Sequence, residues 1–127
     1  MPRVFKATDI EKEEKELKKD YLDRHMPHVI CQDSVKKGDT FRVKIRMGEQ
    51  YPHPDDHDHY ISTIQLWNRE TLLAETKYTS GAFANKPANV EVDFYLVAPQ
   101  VSMNLSAMAV CTKHGLWQSE DKAVKVI

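Results

Sequence analysis

The sequence is poor in the features that mark most specialised chains. It has two cysteines in 127 residues, Cys31 and Cys111. That is too few for a disulfide framework, so both are expected to be reduced thiols, with at least one available as a ligand or nucleophile. Its four glycines, at 38, 48, 81 and 115, fit neither of the common phosphate-cradling patterns. No apolar run exceeds five residues (Phe94 to Ala98, and Ala107 to Cys111), far short of the ~20 that a membrane-spanning helix needs. The opening stretch up to Lys19 has no apolar segment and no small-residue cleavage site, so a cytoplasmic location is expected rather than export. An excess of one charge is missing too. Eighteen Lys and Arg stand against nineteen Asp and Glu, a formal net charge of -1, which leaves no basic face for nucleic acid. What remains is a chain of single-domain length, able to bury roughly two-thirds of its unfolded surface.

The first 24 residues form a region of their own, with fourteen charged residues, seven of each sign. Thr8-Asp9-Ile10-Glu11 is a capping-box pattern, in which hydroxyl and carboxylate satisfy the orphan amides of a helix start. Glu11 with Lys15 and Glu14 with Lys18 are i,i+4 pairs in the favourable orientation. The apolar stripe is thin, only Ile10, Leu17 and Tyr21, enough to dock on a neighbour but not to anchor a helix in a core. From residue 28 the hydrophobic period changes from 3.6 to 2. Phe41, Val43, Ile45 and Met47 alternate with Arg42, Lys44 and Arg46. Val90, Val92, Phe94 and Leu96 do the same, and Met103, Leu105, Ala107 and Ala109 continue in parity to Cys111. Ile61 to Trp67 and Leu72 to Thr79 are rich in β-branched and aromatic residues, and Val29 to Gln32 and Ala123 to Ile127 are shorter candidates. About seven strands separated by turn residues predict an immunoglobulin-like antiparallel β-sandwich over residues 25–127, preceded by a helical extension over residues 1–24.

Function is to be sought in the histidines, six in all with five before residue 60. Tyr51 to Tyr60 carries His53, His57 and His59 among three aspartates, with Pro52 and Pro54 restricting the backbone. Cys111-Thr-Lys-His114 sits at a strand exit, where a turn can aim thiolate and imidazole at one metal. His25 lies where the helix runs into the sheet. The residue types leave several readings open. Solvated histidines beside a small buried cysteine need no metal. Imidazole with one thiolate suits iron, copper or zinc over magnesium or calcium. A blue-copper site wants a further axial ligand, typically a Met beyond the last His, and no Met follows His114. A structural zinc site wants more cysteines.

His53-Pro54-x4-His59-Tyr60-Ile61 followed by Cys111-x2-His114-Gly115-Leu116-Trp117-x-Ser119 resembles the superoxide reductases of the desulfoferrodoxin/neelaredoxin family. Asp23-Arg24-His25-Met26-Pro27 is similar to that family's Glu-Lys-His-x-Pro segment. No cysteine precedes Cys31, so the chain looks like the one-iron form without the rubredoxin-like domain. The resemblance implies a mononuclear iron, Fe2+/Fe3+, with His25, His53, His59 and His114 in the equatorial plane and Cys111 axial. The histidine after the Cys would bind through Nδ1 and the others through Nε2. His28, His57 and Cys31 match no ligand position. The implied reaction reduces superoxide with one electron and two protons to hydrogen peroxide, releasing no dioxygen. An external donor such as rubredoxin would restore the iron. The resemblance also favours a homo-oligomer, a tetramer.

Two positions depart from the family. Where its Glu can close the sixth position on ferric iron, this chain has Asp23, one methylene shorter. Where its Lys attracts superoxide or orients a proton-supplying water, this chain has Arg24, which keeps the charge but is a poor proton donor. Steering is expected to survive, with proton delivery left to water or Lys113. Two other classes stand beside the reductase: an iron-containing electron-transfer or redox-sensing module, and a metal-free interaction domain.

Overall fold

A computed structural model describes the backbone from residue 15 to residue 127 and the side chains from Lys19 onward. The Thr8–Glu11 capping box, its i,i+4 pairs and the side chains of Ile10 and Leu17 lie outside the described residues. Helix α1 (Lys15–His25) leads into β1 (Pro27–Ile30), β2 (Ser34–Val35), β3 (Thr40–Met47), β4 (Ile61–Asn68), β5 (Thr71–Lys77), β6 (Glu91–Val97), β7 (Met103–Cys111), β8 (Gly115–Gln118) and β9 (Lys122–Val126). They form two sheets. One is antiparallel in the order β1-β3-β6; the other runs β5-β4-β7-β9-β2, with β8 also paired to β7. Strand β7 therefore has β4 along one edge and β9 then β8 along the other.

The period-2 stretches became strands because each had one face to bury. Phe41, Val43, Ile45 and Met47 from one sheet meet Ile64, Leu66, Leu105, Ala107 and Ala109 from the other in a single core. Two strands were not anticipated. Strand β2 pairs in parallel with β9 over two residues only, and β8 spans four, both too short to display a period. The first strand candidate, Val29 to Gln32, begins earlier, at Pro27, where it pairs with Met47. Between β8 and β9 the buried Ser119 bridges the break: its hydroxyl accepts the Ala107 amide at 2.8 Å and donates to the Glu120 carbonyl.

The helix is fastened to the sheet at its last turn. Pro27 disfavours helix at the residue before it, and the Met26 amide closes onto the Asp23 carbonyl at 3.1 Å. The Asp23 carboxylate then accepts the consecutive amides of Glu49, Gln50 and Tyr51 at 2.8–3.2 Å. Gly48 makes that approach possible. Its φ is +72°, and a Cβ there would stand 2.9 Å from the Tyr51 carbonyl oxygen and 3.2 Å from Asp23 Oδ2. Gly48→Ala is expected to lower the unfolding free energy by about 1–2 kcal/mol from backbone conformation alone, and Asp23→Ala by about 2 kcal/mol. Urea denaturation checks both; unchanged midpoints would show that this junction holds nothing.

Candidate metal centre

At the end of the sandwich where β3 and β7 finish, four imidazoles stand around one point. Successive ring centres are 4.9 Å apart from His25 to His53, 4.8 Å from His53 to His59, 4.9 Å from His59 to His114 and 5.0 Å from His114 back to His25. Each ring is turned 78–80° from the next, and the opposed pair His25 and His59 is inclined by 24° at 6.4 Å. The ligand atoms of His25, His59, Cys111 and His114 all lie within 4.8 Å of one another, and His53 closes the square from the remaining side.

Separate local rules aim each side chain. His25 is the last residue of α1, and its Nδ1 donates to the Tyr21 carbonyl at 2.6 Å. His53 forms an isolated bridge with Ala88, and its Nδ1 donates to the Pro54 carbonyl at 2.7 Å. A carbonyl only accepts, so in both rings the proton sits on Nδ1 and Nε2 carries the free lone pair. His59 ends a tight turn closed by reciprocal bonds between Asp56 and His59. That turn puts His57 at its exposed tip and His59 on the inside. Thr112 pins the turn to β7, its hydroxyl accepting the Tyr60 amide and donating to the Asp58 carbonyl. On β7, Cys111 pairs with Ile61 on one side and Gly115 on the other. The intervening turn sets His114 Nδ1 3.8 Å from the sulfur, and the His114 amide donates to the same sulfur at 3.3 Å.

The residues fit a metal. His25, His53 and His59 each have a buried Nε2 with no partner in the protein, an arrangement that costs stability unless something accepts those lone pairs. Half of the 6.4 Å between His25 and His59, less about 1 Å from ring centre to nitrogen, is roughly the 2.0–2.1 Å of an imidazole–metal bond. One thiolate with four neutral imidazoles selects a transition metal over calcium or magnesium. Burial is also the main cause that favours the neutral form of three of the rings, His25, His53 and His59. It pushes His25 and His53 down to about 4, partly opposed by their bonds to the Tyr21 and Pro54 carbonyls. His59 is lowered as well, by burial first and then by the neighbouring His114, Lys113 and Arg24.

Other candidates fall elsewhere. Arg24 has its guanidinium carbon 5.9 Å from the Tyr21 ring centre and its Nη1 3.8 Å from Asp20 Oδ2, close enough for its charge to act on His25, His53 and His59. Lys113 is exposed beside His59. The Asp23 carboxylate is taken up by the amides of residues 49–51. His28 pairs with Glu49 at 3.8 Å. Cys31, half-buried, has its thiol pushed up by burial and neighbours Lys122. Lys122 pairs with Leu105, six residues and roughly 20 Å along β7 from Cys111.

Sequence reading missed two groups that shape the site. Asp55 is 3% exposed, and its carboxylate accepts the amides of Phe83 and Asn85 at 3.0 Å, tying the loop over residues 80–87 to the His53 segment. Trp117 stacks on His25, while Tyr21 sets its edge or face against His25, His114 and Trp117. Asp55 was hidden among three neighbouring aspartates; Trp117 was visible only as part of a motif.

The neutral histidines carry a pH signature. Unfolded, each protonates near 6.5; folded, His25 and His53 do so near 4. Between those values the unfolded chain binds more protons, so stability falls with falling pH. Metal-free protein is therefore expected to melt progressively lower from about pH 6.5 towards pH 4, and His25→Ala to flatten that slope. A parent melting temperature constant across this range would contradict neutral buried rings.

The sequence of the whole site can be set against known proteins. A family model, Desulfoferrodoxin, matches residues 10–120. A relative from Methanocaldococcus jannaschii is 35% identical over 104 residues, covering 80% of this chain and 83% of its own. The superoxide reductase of Thermococcus kodakarensis is 27% identical over 99 residues, covering 73% and 84%. A solved variant of superoxide reductase (neelaredoxin) from Ignicoccus hospitalis superposes with a TM-score of 0.77 at 25% identity, covering 100% of this chain and 99% of that one. A model match over most of the length, joined to a common fold, places this chain in the desulfoferrodoxin family.

Proposed function

We propose that this chain is a superoxide reductase in which His25, His53, His59, His114 and Cys111 would hold a mononuclear iron. The observation that carries the reading is the square of imidazoles with three buried, unpartnered Nε2 atoms and a thiol beside it. Bound there, iron supplies the one electron that, with two protons, converts superoxide to hydrogen peroxide. An external donor must then restore the electron, and a rubredoxin is the donor this reading favours.

The residues divide the remaining work. One thiolate against a divalent ion leaves the centre net positive, which favours a small anion. The Cys111 sulfur donates electron density, as thiolate ligands do in haem proteins. Arg24 and Lys113 add positive potential on the His59 side. The Arg24 guanidinium does not give up a proton, so its part is steering, and proton supply falls to water or the Lys113 ammonium. Asp23 spends its carboxylate on three backbone amides, so it would not serve as a ligand. His28, His57 and Cys31 take no part. Assembly into a homo-oligomer, a tetramer, belongs to the same reading, and Tyr95 and Val97, each about two-thirds exposed on β6, offer apolar contact for it. A cytoplasmic location accords with two free thiols. Among the described residues no helix is long and apolar enough to cross a membrane.

Iron-loaded protein is expected to consume superoxide with peroxide, but not dioxygen, as product. Cys111→Ser should lose the ferric–thiolate absorption band and most activity, whereas Cys31→Ser and His57→Asn keep both. Dioxygen release, or a band that survives in Cys111→Ser, would overturn the assignment.

Steering has its own signature. Arg24→Ala is expected to lower the second-order rate with superoxide several-fold at low salt and to flatten its dependence on ionic strength, because screening has less charge to act on. Arg24→Lys should retain most of the rate. Stopped-flow kinetics over a salt series would settle it, and an Arg24→Ala rate equal to the parent's at low salt would make Arg24 an ordinary surface residue.

A further inference from the structure

Strand β8 is short, and its residues divide sharply. Gly115 and Leu116 are exposed, while Trp117 is 9% exposed and turned inward. There it meets two of the histidines, which come from different parts of the chain. Its ring lies flat on His25, at 4.8 Å between centres and 13° between planes. Its Nε1–H donates to the His114 carbonyl at 3.1 Å. His114 is also the residue whose amide donates to Cys111 Sγ at 3.3 Å. The indole thus holds one face of His114's backbone while the other end of that residue holds the sulfur. Leu22 and Met26 pack with Trp117 in a small cluster of their own, with Tyr21 against it, so the ring cannot turn away without opening the seam between α1 and β8.

Resting on the reading that this cluster binds a metal, we infer that Trp117 is a positioning residue that sets two ligands at once: it orients His25 by stacking, and it fixes the amide hydrogen bond that tunes the Cys111 sulfur. An amide hydrogen bond draws charge from a thiolate and weakens its donation to a metal, which is how the surroundings of a cysteine sulfur adjust redox potential. The two contacts are separable. Phenylalanine can keep a flat ring against His25 but has no N–H for His114; leucine removes both.

Cobalt(II) is the probe, because its thiolate charge-transfer band and its release to a chelator are read without any turnover. Trp117→Phe is expected to move the thiolate–cobalt band to longer wavelength, since a sulfur without a firm hydrogen bond gives up electron density more easily. Its cobalt release should change by less than about three-fold. Trp117→Leu is expected to show the same band shift and about ten-fold faster release, in the range typical of lost support to metal ligands. Trp67→Phe is the control for removing an indole elsewhere: that side chain donates to Gln65 at 3.1 Å and lies on β4, and it should move neither readout. With iron, the midpoint potential of Trp117→Phe should fall below the parent's. A band and potential unchanged in Trp117→Phe, or a Trp67→Phe protein that shifts as much, would overturn the proposal. A parent with no thiolate–cobalt band would overturn it together with the ligand assignment. A parent with the band but no superoxide reductase activity would overturn the proposed function alone.

Discussion

The candidate metal centre depends on three of the buried imidazole nitrogens that the protein leaves unmatched. His25, His53 and His59 each turn an unpartnered Nε2 towards a common point. A buried polar atom without a partner costs about 1–3 kcal/mol, so the apo fold carries this burden in triplicate. The sandwich core, with its interlocking β3 and β7 side chains, is what lets it do so. A metal that accepts the lone pairs removes the penalty, which means that metal affinity and folding stability are one linked quantity.

Holding those lone pairs in register requires more than a scaffold of strands. Register alone delivers Cys111 and His114, because the β7–β8 hairpin places them on either side of one turn, and it brings β4 alongside so that His59 arrives two residues before Ile61. His25 and His53 have no such support from a strand. They are held by carboxylates that gather backbone amides: Asp23 takes those of residues 49–51, and Asp55 takes those of Phe83 and Asn85. Asp23 and Asp55 therefore act as anchors for loops, their carboxylates engaged by backbone amides.

The parts that were legible in sequence follow from the same division. The alternations at Phe41–Met47 and Val90–Leu96 announced strands because one face of each is buried. Strand β8 did not, since four residues beginning at Gly115 show no period. The pairing of Cys111 with His114 could be read from spacing at a strand exit, but spacing cannot choose His59 over His57. That choice is made by the Asp56–His59 turn, which exposes one and turns the other inward. Asp23 illustrates the opposite difficulty. It precedes His25 by two residues, yet on a helix positions i and i+2 do not face each other, so closeness in sequence sends its carboxylate towards residues 49–51. Tyr21, at i-4, shares the face of His25 and is the residue that touches it.

The charges around the site follow from this geometry. With the Asp23 carboxylate turned to the loop amides, the carboxylate that Arg24 meets is that of Asp20. Arg24 itself is only loosely paired, 3.8 Å from an exposed Asp20, and its side chain is fixed against the Tyr21 ring instead. Lys113 adds a second cation on the His59 side. Two cations, Arg24 and Lys113, thus stand near His59, while the Asp23 carboxylate is held by the loop amides. A longer acidic side chain at position 23 would have to leave the amides of residues 49–51 to reach the centre, and in leaving would loosen the segment that carries His53. In this chain the observed hydrogen bonds commit the Asp23 carboxylate to the segment that leads into His53.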